Sequence, residues 1–242
     1  MPNYQLIIEY DGTDFNGWGK QPGHRTVHEE LEIAFGRIFN TPVNIICAGR
    51  TDKGVHATSQ SVTVELPTIT PEKLILRLNS LLPDDISVKN VRLAEGLDAR
   101  KSAKYKTYTY IIDNSQERSA LWRNRSWHVP EHLNLSKMKA AAKFLQAKRD
   151  YSAFDSQNTV FDYKTVDLKE IKVSKHLGFV KIELTADHFL YKMVRKMVSE
   201  IVEIGKGNKT VQELKATILS KDCSKTIKPA PAHGLYLTKV TY

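Results

Sequence analysis

Residues 4–10 (Tyr-Gln-Leu-Ile-Ile-Glu-Tyr) alternate in character and are rich in isoleucine, the period-two pattern of a strand, and Asp11-Gly12-Thr13 closes it as a turn. A helix is predicted to open at Thr26, with Glu29 three residues on in the arrangement of a capping box. Its apolar residues Leu31, Ala34, Phe35 and Ile38 recur at helical spacing and define a buried face. Val43–Cys47 and Ser59–Leu66 read as strands. Thr70-Pro71 starts a second helix, with proline at the first helical position and Leu74, Leu78 and Leu81 on its face. Ile86–Leu93 is a further strand. The order is β-α-β-β-α-β, the ferredoxin-like pattern of an α+β fold.

The remainder repeats that order with longer connections. Lys104–Ile112 is predicted as a strand, and Ser136 opens a helix bearing Ala141, Phe144 and Leu145. Val166–Ser174 and Phe179–Leu184 form a hairpin across His176-Leu177-Gly178. A helix from about Phe189 to Ile204 aligns Met193, Met197, Ile201 and Ile204. A shorter helix is capped by Thr210 and Glu213, and Leu235–Thr241 closes as a strand. The expectation is two ferredoxin-like halves, residues 1–100 and 101–242, joined near Leu97–Ala103. Two sheets side by side would leave a cleft, and such junctions favour binding sites.

Composition narrows the partners. At 41% hydrophobic and 26% charged residues, the 242-residue chain has an ordinary globular balance. Its 36 Lys+Arg against 27 Asp+Glu, a net +9, point to a polyanion, of which nucleic acid is the usual one. Lys101, Lys104, Lys106, Arg118, Arg123 and Arg125 crowd the start of the second half and suit phosphate contacts. Cys47 and Cys223 fit no disulfide or zinc spacing. His28-Glu29-Glu30-Leu31-Glu32 has Glu32 where a zinc-binding helix needs its second histidine, so no metal is expected. The first residues lack a signal-peptide pattern, and no apolar run nears the ~20 residues of a membrane span. The expected location is the cytoplasm, with no membrane partner.

The most informative stretch is Ala48-Gly49-Arg50-Thr51-Asp52-Lys53-Gly54-Val55-His56-Ala57, an acid between two bases in a glycine-flanked loop. Neighbouring cations favour the ionised carboxylate, and a positioned carboxylate is a competent nucleophile. In an arbitrary sequence Asp-Lys-Gly is simply a turn. This decapeptide, however, closely resembles the signature loop of the tRNA pseudouridine synthase A family, whose aspartate is the nucleophile. Further segments resemble the family in order along the chain. They are Tyr10-Asp11-Gly12-Thr13 with Phe15, Gly17 and Trp18, then Gln21-Pro22; Asp98-Ala99-Arg100 with Lys106-Thr107-Tyr108-Thr109-Tyr110; Phe189-Leu190-Tyr191 with Met193-Val194-Arg195; and Pro231–Leu237.

The resemblance implies isomerisation of uridine in the tRNA anticodon stem-loop, at positions 38, 39 and 40, by a homodimer with no cofactor. That reaction breaks an N-glycosidic bond and remakes a carbon bond to the same sugar. It needs a nucleophile, a base for the C5 proton and a dry pocket for a flipped nucleotide. Asp52 is the nucleophile by this reading; attack on the ring, attack on the sugar carbon and abstraction of a sugar proton all stay open. Arg50 is assigned to holding Asp52 ionised and to filling the space of the extruded base. Tyr110 is the substrate-contacting tyrosine, as a stacking partner or also as the base, which would need a cation's help because a free phenol has a pKa near 10. Arg195, a charge in an apolar helical stretch, is expected to pair with Asp52. Lys53, His56 and Leu237 complete the expected substrate contacts.

Gly19, and Ser199-Glu200 after Val198, depart from the family pattern without touching these residues. Two rival readings stand beside the synthase: an RNA-binding protein of the same fold that remodels tRNA, and a paralogue whose uridine specificity has drifted.

Overall fold

The computed structural model describes residues 1–157 and 164–242. It divides into two compact units, residues 1–104 with 236–242, and residues 105–235. In the first, β1 (Asn3–Tyr10) lies between β3 (His56–Glu65) and β4 (Ile86–Leu93), antiparallel to both, and β2 (Ile45–Cys47) pairs with the far end of β3. The order β4-β1-β3-β2 is that of a ferredoxin-like sheet. Two helices cover it: α1 (Val27–Phe39) buries Val27, Leu31, Ala34 and Phe35, and α2 (Pro71–Asn79) buries Leu74 and Leu78. Each fully buried Leu, Val or Phe contributes roughly 1.5–3 kcal/mol, so these stripes hold the helices to the sheet.

The Thr26 hydroxyl caps α1 by accepting the Glu29 N–H, and Thr70 caps α2 in the same way. β1 shifts register after Ile7 against β4 and after Ile8 against β3, just before the Asp11 turn. Irregularities of this kind bend a strand and re-aim its end. Residues 236–242 come from the strand Leu235–Thr241, which the sequence pattern assigns to the second half. By their contacts they group with the first unit, where Tyr236 and Leu237 run parallel to β3 opposite His56 and Ala57.

The second unit is built on β5 (Tyr105–Asp113), with the short β6 (Trp127–His128) alongside its end. Next come α3 (Leu135–Leu145), the short β7 (Lys148–Asp150), β8 (Thr165–His176) and β9 (Phe179–Ala186), then α4 (Met193–Lys206) and α5 (Val211–Ser220), ahead of the Leu235–Thr241 strand, β10. The sheet order β5-β9-β8-β7 is antiparallel throughout. The hairpin turns on Leu177 and Gly178, both at positive φ (46° and 82°), the signature of a two-residue type I′ turn. β6 and β7 are too short to announce themselves by periodicity.

Two helix starts move from their predicted places. α3 is capped by Asn134, whose side-chain oxygen accepts the Lys137 N–H, so Ser136 lies inside the first turn. α4 starts at Met193 rather than Phe189, because Lys192 takes a left-handed conformation (φ 59°) that interrupts the helical run. Its face Met193, Met197, Ile201 and Ile204 is buried as the spacing predicts. The Thr210–Glu213 capping box forms in both directions.

Candidate active site

The Ala48–Ala57 loop leaves β2 and enters β3 earlier than the pattern suggests for a strand start, so His56 and Ala57 already belong to the sheet. Asp52 heads a β-turn closed by the Val55 N–H on the Asp52 carbonyl at 3.1 Å. Asp52 itself is half-buried, while Arg50 and Lys53 on either side are exposed.

What fixes this loop is the segment after β1. Trp18 N–H donates to the Thr51 carbonyl at 3.0 Å, and Gly54 N–H to the Phe15 carbonyl at 3.3 Å. Tyr10 Oη and Thr51 Oγ1 meet at 2.7 Å in a buried hydrogen bond. From within β3, the Gln60 amide donates to the Gly49 carbonyl at 2.7 Å. The contacts are close enough to demand glycine. A Cβ on Gly12 would stand 2.1 Å from the Val55 carbonyl oxygen, and one on Gly17 2.7 Å from that of Thr51. Thus Tyr10–Trp18 is a cradle moulded to the backbone on both sides of Asp52. In the sequence that motif carries the resemblance without a role of its own, and its local signal is the pair of glycines Gly12 and Gly17.

His56 is 2% exposed and stacks on Tyr236, with ring centroids 4.6 Å apart. Its Nδ1 accepts the Gly12 N–H at 2.9 Å and lies 3.1 Å from Asp11 Oδ1. Its ring is therefore engaged with the corner where the cradle begins. Leu237 is fully buried beside Ala57. Arg50 forms no ion pair among the described residues; its side chain runs alongside Gly19, where a Cβ would sit 3.8 Å from the guanidinium. The Arg50–Asp52 ion pair anticipated from sequence is thus absent, because the Arg50 side chain lies back along the cradle segment at Gly19.

Tyr110 and Arg195 belong to the second unit. Tyr110 is fully buried on β5, edge-on to Trp127 at 6.2 Å, and its hydroxyl donates to the Pro231 carbonyl at 2.8 Å. Its ring presses on Gly234 so closely that a Cβ there would stand 2.6 Å from Tyr110 Cζ. Burial pushes the phenol above its ordinary range, and the nearby Arg195 cation only partly opposes this. Arg195 is half-buried in the first turn of α4, with Nε donating to the Ala230 carbonyl at 2.7 Å.

Among the described residues no group of three or more His, Cys, Asp and Glu is placed to hold a metal ion, and no helix is long and apolar enough to cross a membrane.

The family model for tRNA pseudouridine synthases matches residues 6–100 and 141–242. A tRNA pseudouridine synthase A of Thermoanaerobacter sp. (strain X514) is 38% identical over 244 residues, spanning the whole of both chains. The proteins of that name from Acetivibrio thermocellus and Streptococcus thermophilus are 37% and 35% identical, again over the full length of both. With the signature loop, its cradle and a ferredoxin-like sheet in place, the chain belongs to the tRNA pseudouridine synthase family, a family of isomerases.

Proposed function

We propose that this protein isomerises uridine to pseudouridine in the anticodon stem-loop of tRNA, at positions 38, 39 and 40, acting as a cytoplasmic homodimer. Asp52 is the nucleophile. Arg50, exposed at the rim of the loop, fills the place of the extruded base, since unpairing a stem nucleotide costs a few kcal/mol. Arg195 is the second catalytic cation, and Tyr110, Lys53, His56 and Leu237 contact or shape the substrate. The observation that carries the reading is the cradle. A solvated surface turn has no need of two glycines pressed to its backbone, a buried Tyr10–Thr51 bond and a Gln60 clamp. A carboxylate held on a fixed backbone is what nucleophilic attack at a defined atom requires.

The burial of Tyr110 and its bond to Pro231 favour a neutral, orienting phenol over a general base. The deciding experiment uses unmodified tRNA transcripts tritiated at uracil C5, with wild-type protein beside Asp52→Asn. Tritium release by wild type alone, mapped to the anticodon stem, with tRNA affinity of the variant within a few fold, is the expected result. Turnover by Asp52→Asn would overturn the nucleophile assignment. Tight binding without release from any transcript would favour tRNA remodelling without chemistry.

A further inference from the structure

One face of α4 is polar although it is buried. Arg195, Lys196, Ser199 and Glu200 recur one helical turn apart, so their side chains share a stripe. Lys196, Ser199 and Glu200 are 6%, 3% and 0% exposed, which is costly for such groups unless each finds a partner. All four find it in the same place, the segment from Cys223 to Ala230, which opens with a single 3-10 turn at Cys223–Lys225. Arg195 Nε donates to the Ala230 carbonyl, Lys196 Nζ to that of Cys223 at 3.3 Å, and Ser199 Oγ to that of Lys228 at 2.8 Å. Glu200 Oε1 accepts the Ile227 N–H at 3.2 Å. The Ala230 N–H returns to the Arg195 carbonyl at 3.1 Å. A segment without ladder bonds of its own is thus laced to a helix.

The laced segment ends at Pro231, whose carbonyl receives the Tyr110 hydroxyl, and Gly234 a little further on is moulded to the Tyr110 ring. The same strap therefore touches Arg195 at one bond and Tyr110 at the next. Glu200 is its deepest pin. The other carboxylate oxygen meets Lys209 Nζ at 2.5 Å, and Lys209 is steadied by the Thr217 hydroxyl at 3.2 Å, so the buried charge is balanced.

We propose that Glu200, together with Lys209, is a positioning residue that sets Arg195 through the Cys223–Ala230 strap. The inference rests on the reading of Arg195 as a catalytic residue. It adds a residue more than a helical turn beyond Arg195 that reaches that side chain through the strap.

The experiment compares Glu200→Gln, Arg195→Lys, Arg195→Ala and the Glu200→Gln/Arg195→Lys double variant with wild type, by single-turnover tritium release with excess enzyme, alongside thermal midpoints. In Glu200→Gln the side-chain amide would still accept the Ile227 N–H but would leave Lys209 unbalanced and the strap free to shift. The expected result is a roughly ten-fold slower rate for Glu200→Gln with tRNA affinity within two-fold. In the Arg195→Lys background the same change should cost less than two-fold, because the group it positions has already been replaced. Multiplicative losses would mean that Glu200 supports the unit generally, and would overturn the proposal. A wild-type rate for Glu200→Gln beside a slow Arg195→Lys would overturn it while leaving the catalytic reading intact. A wild-type rate for Arg195→Lys and for Arg195→Ala would remove the catalytic reading itself, and the proposal with it. Should Glu200→Gln fail to fold, Ser199→Ala removes the mid-strap bond without burying a charge; it should slow the rate about three-fold in wild type and not in Arg195→Lys, and equal losses in both would overturn the proposal.

Discussion

Two glycines decide where the backbone of Asp52 can be. Gly17 combines a positive φ of 92° with a site for Cβ only 2.7 Å from the Thr51 carbonyl oxygen. Gly17→Ala should therefore cost about 2–4 kcal/mol, overpacking and left-handed strain together, read as a shift in denaturant midpoint. On the proposed mechanism, turnover should fall more than ten-fold while tRNA affinity holds within a few fold, since the change displaces Asp52 and not the groups that would meet phosphate. Tyr110 offers the complementary test. As an orienting phenol that donates to Pro231, its replacement by phenylalanine should cost about 0.5–1.5 kcal/mol of stability and slow turnover less than about ten-fold. Complete loss of tritium release in Tyr110→Phe would assign it the base role instead. The signature loop around Asp52 is legible in the residue string because it is contiguous. The cradle was visible only as a second motif, since a hydrogen bond such as Tyr10–Thr51 spans 41 residues and leaves no local pattern.

Elements that rest on a long amphipathic stripe were readable in advance, and those that rest on a few residues were not. Most of the faces of α1 and α2 and the later part of α4 fall where their apolar spacing puts them, but Ile38 is only half-buried and Leu81 lies past the end of α2 at Asn79. The start of α4 departs as well, because a single left-handed Lys192 outweighs the continuing apolar run of Phe189-Leu190-Tyr191. The sequence pattern could not reveal that Arg195 and its polar neighbours on α4 serve a strap, because the partners are backbone groups some thirty positions downstream. The β8–β9 hairpin carries a testable inefficiency of its own. Leu177 is 83% exposed and occupies the first central, left-handed position of the type I′ turn, where asparagine or glycine is usual. Leu177→Gly should stabilise the protein by on the order of 1 kcal/mol, with unchanged turnover, in a denaturant titration. A loss of stability would mean that the entropy glycine adds to the unfolded chain outweighs the strain it relieves.

At the scale of the whole molecule, buried phenols couple stability to alkaline pH. Tyr10, Tyr110 and Tyr151 are all raised above their ordinary value by burial, Tyr151 to about 12. In the unfolded chain each ionises near 10, so the folded state binds these protons more tightly. The stability they supply is complete below pH 10 and is lost as pH rises through the folded values. Denaturant midpoints should be flat from pH 7 to 9 and fall steeply above 10, and Tyr10→Phe should soften that fall. A final property follows from the strand Leu235–Thr241. Tyr236 lies beside His56, and the Tyr242 hydroxyl reaches Ser61 at 2.6 Å across 181 residues. Translation delivers the amino-terminal part of a chain first, at roughly 5–20 residues per second, so the strip of sheet flanking the Ala48–Ala57 loop arrives on the order of ten seconds or more after the loop itself. In that interval the nascent chain holds Asp52 beside a sheet edge that residues 236 and 237 have yet to cover.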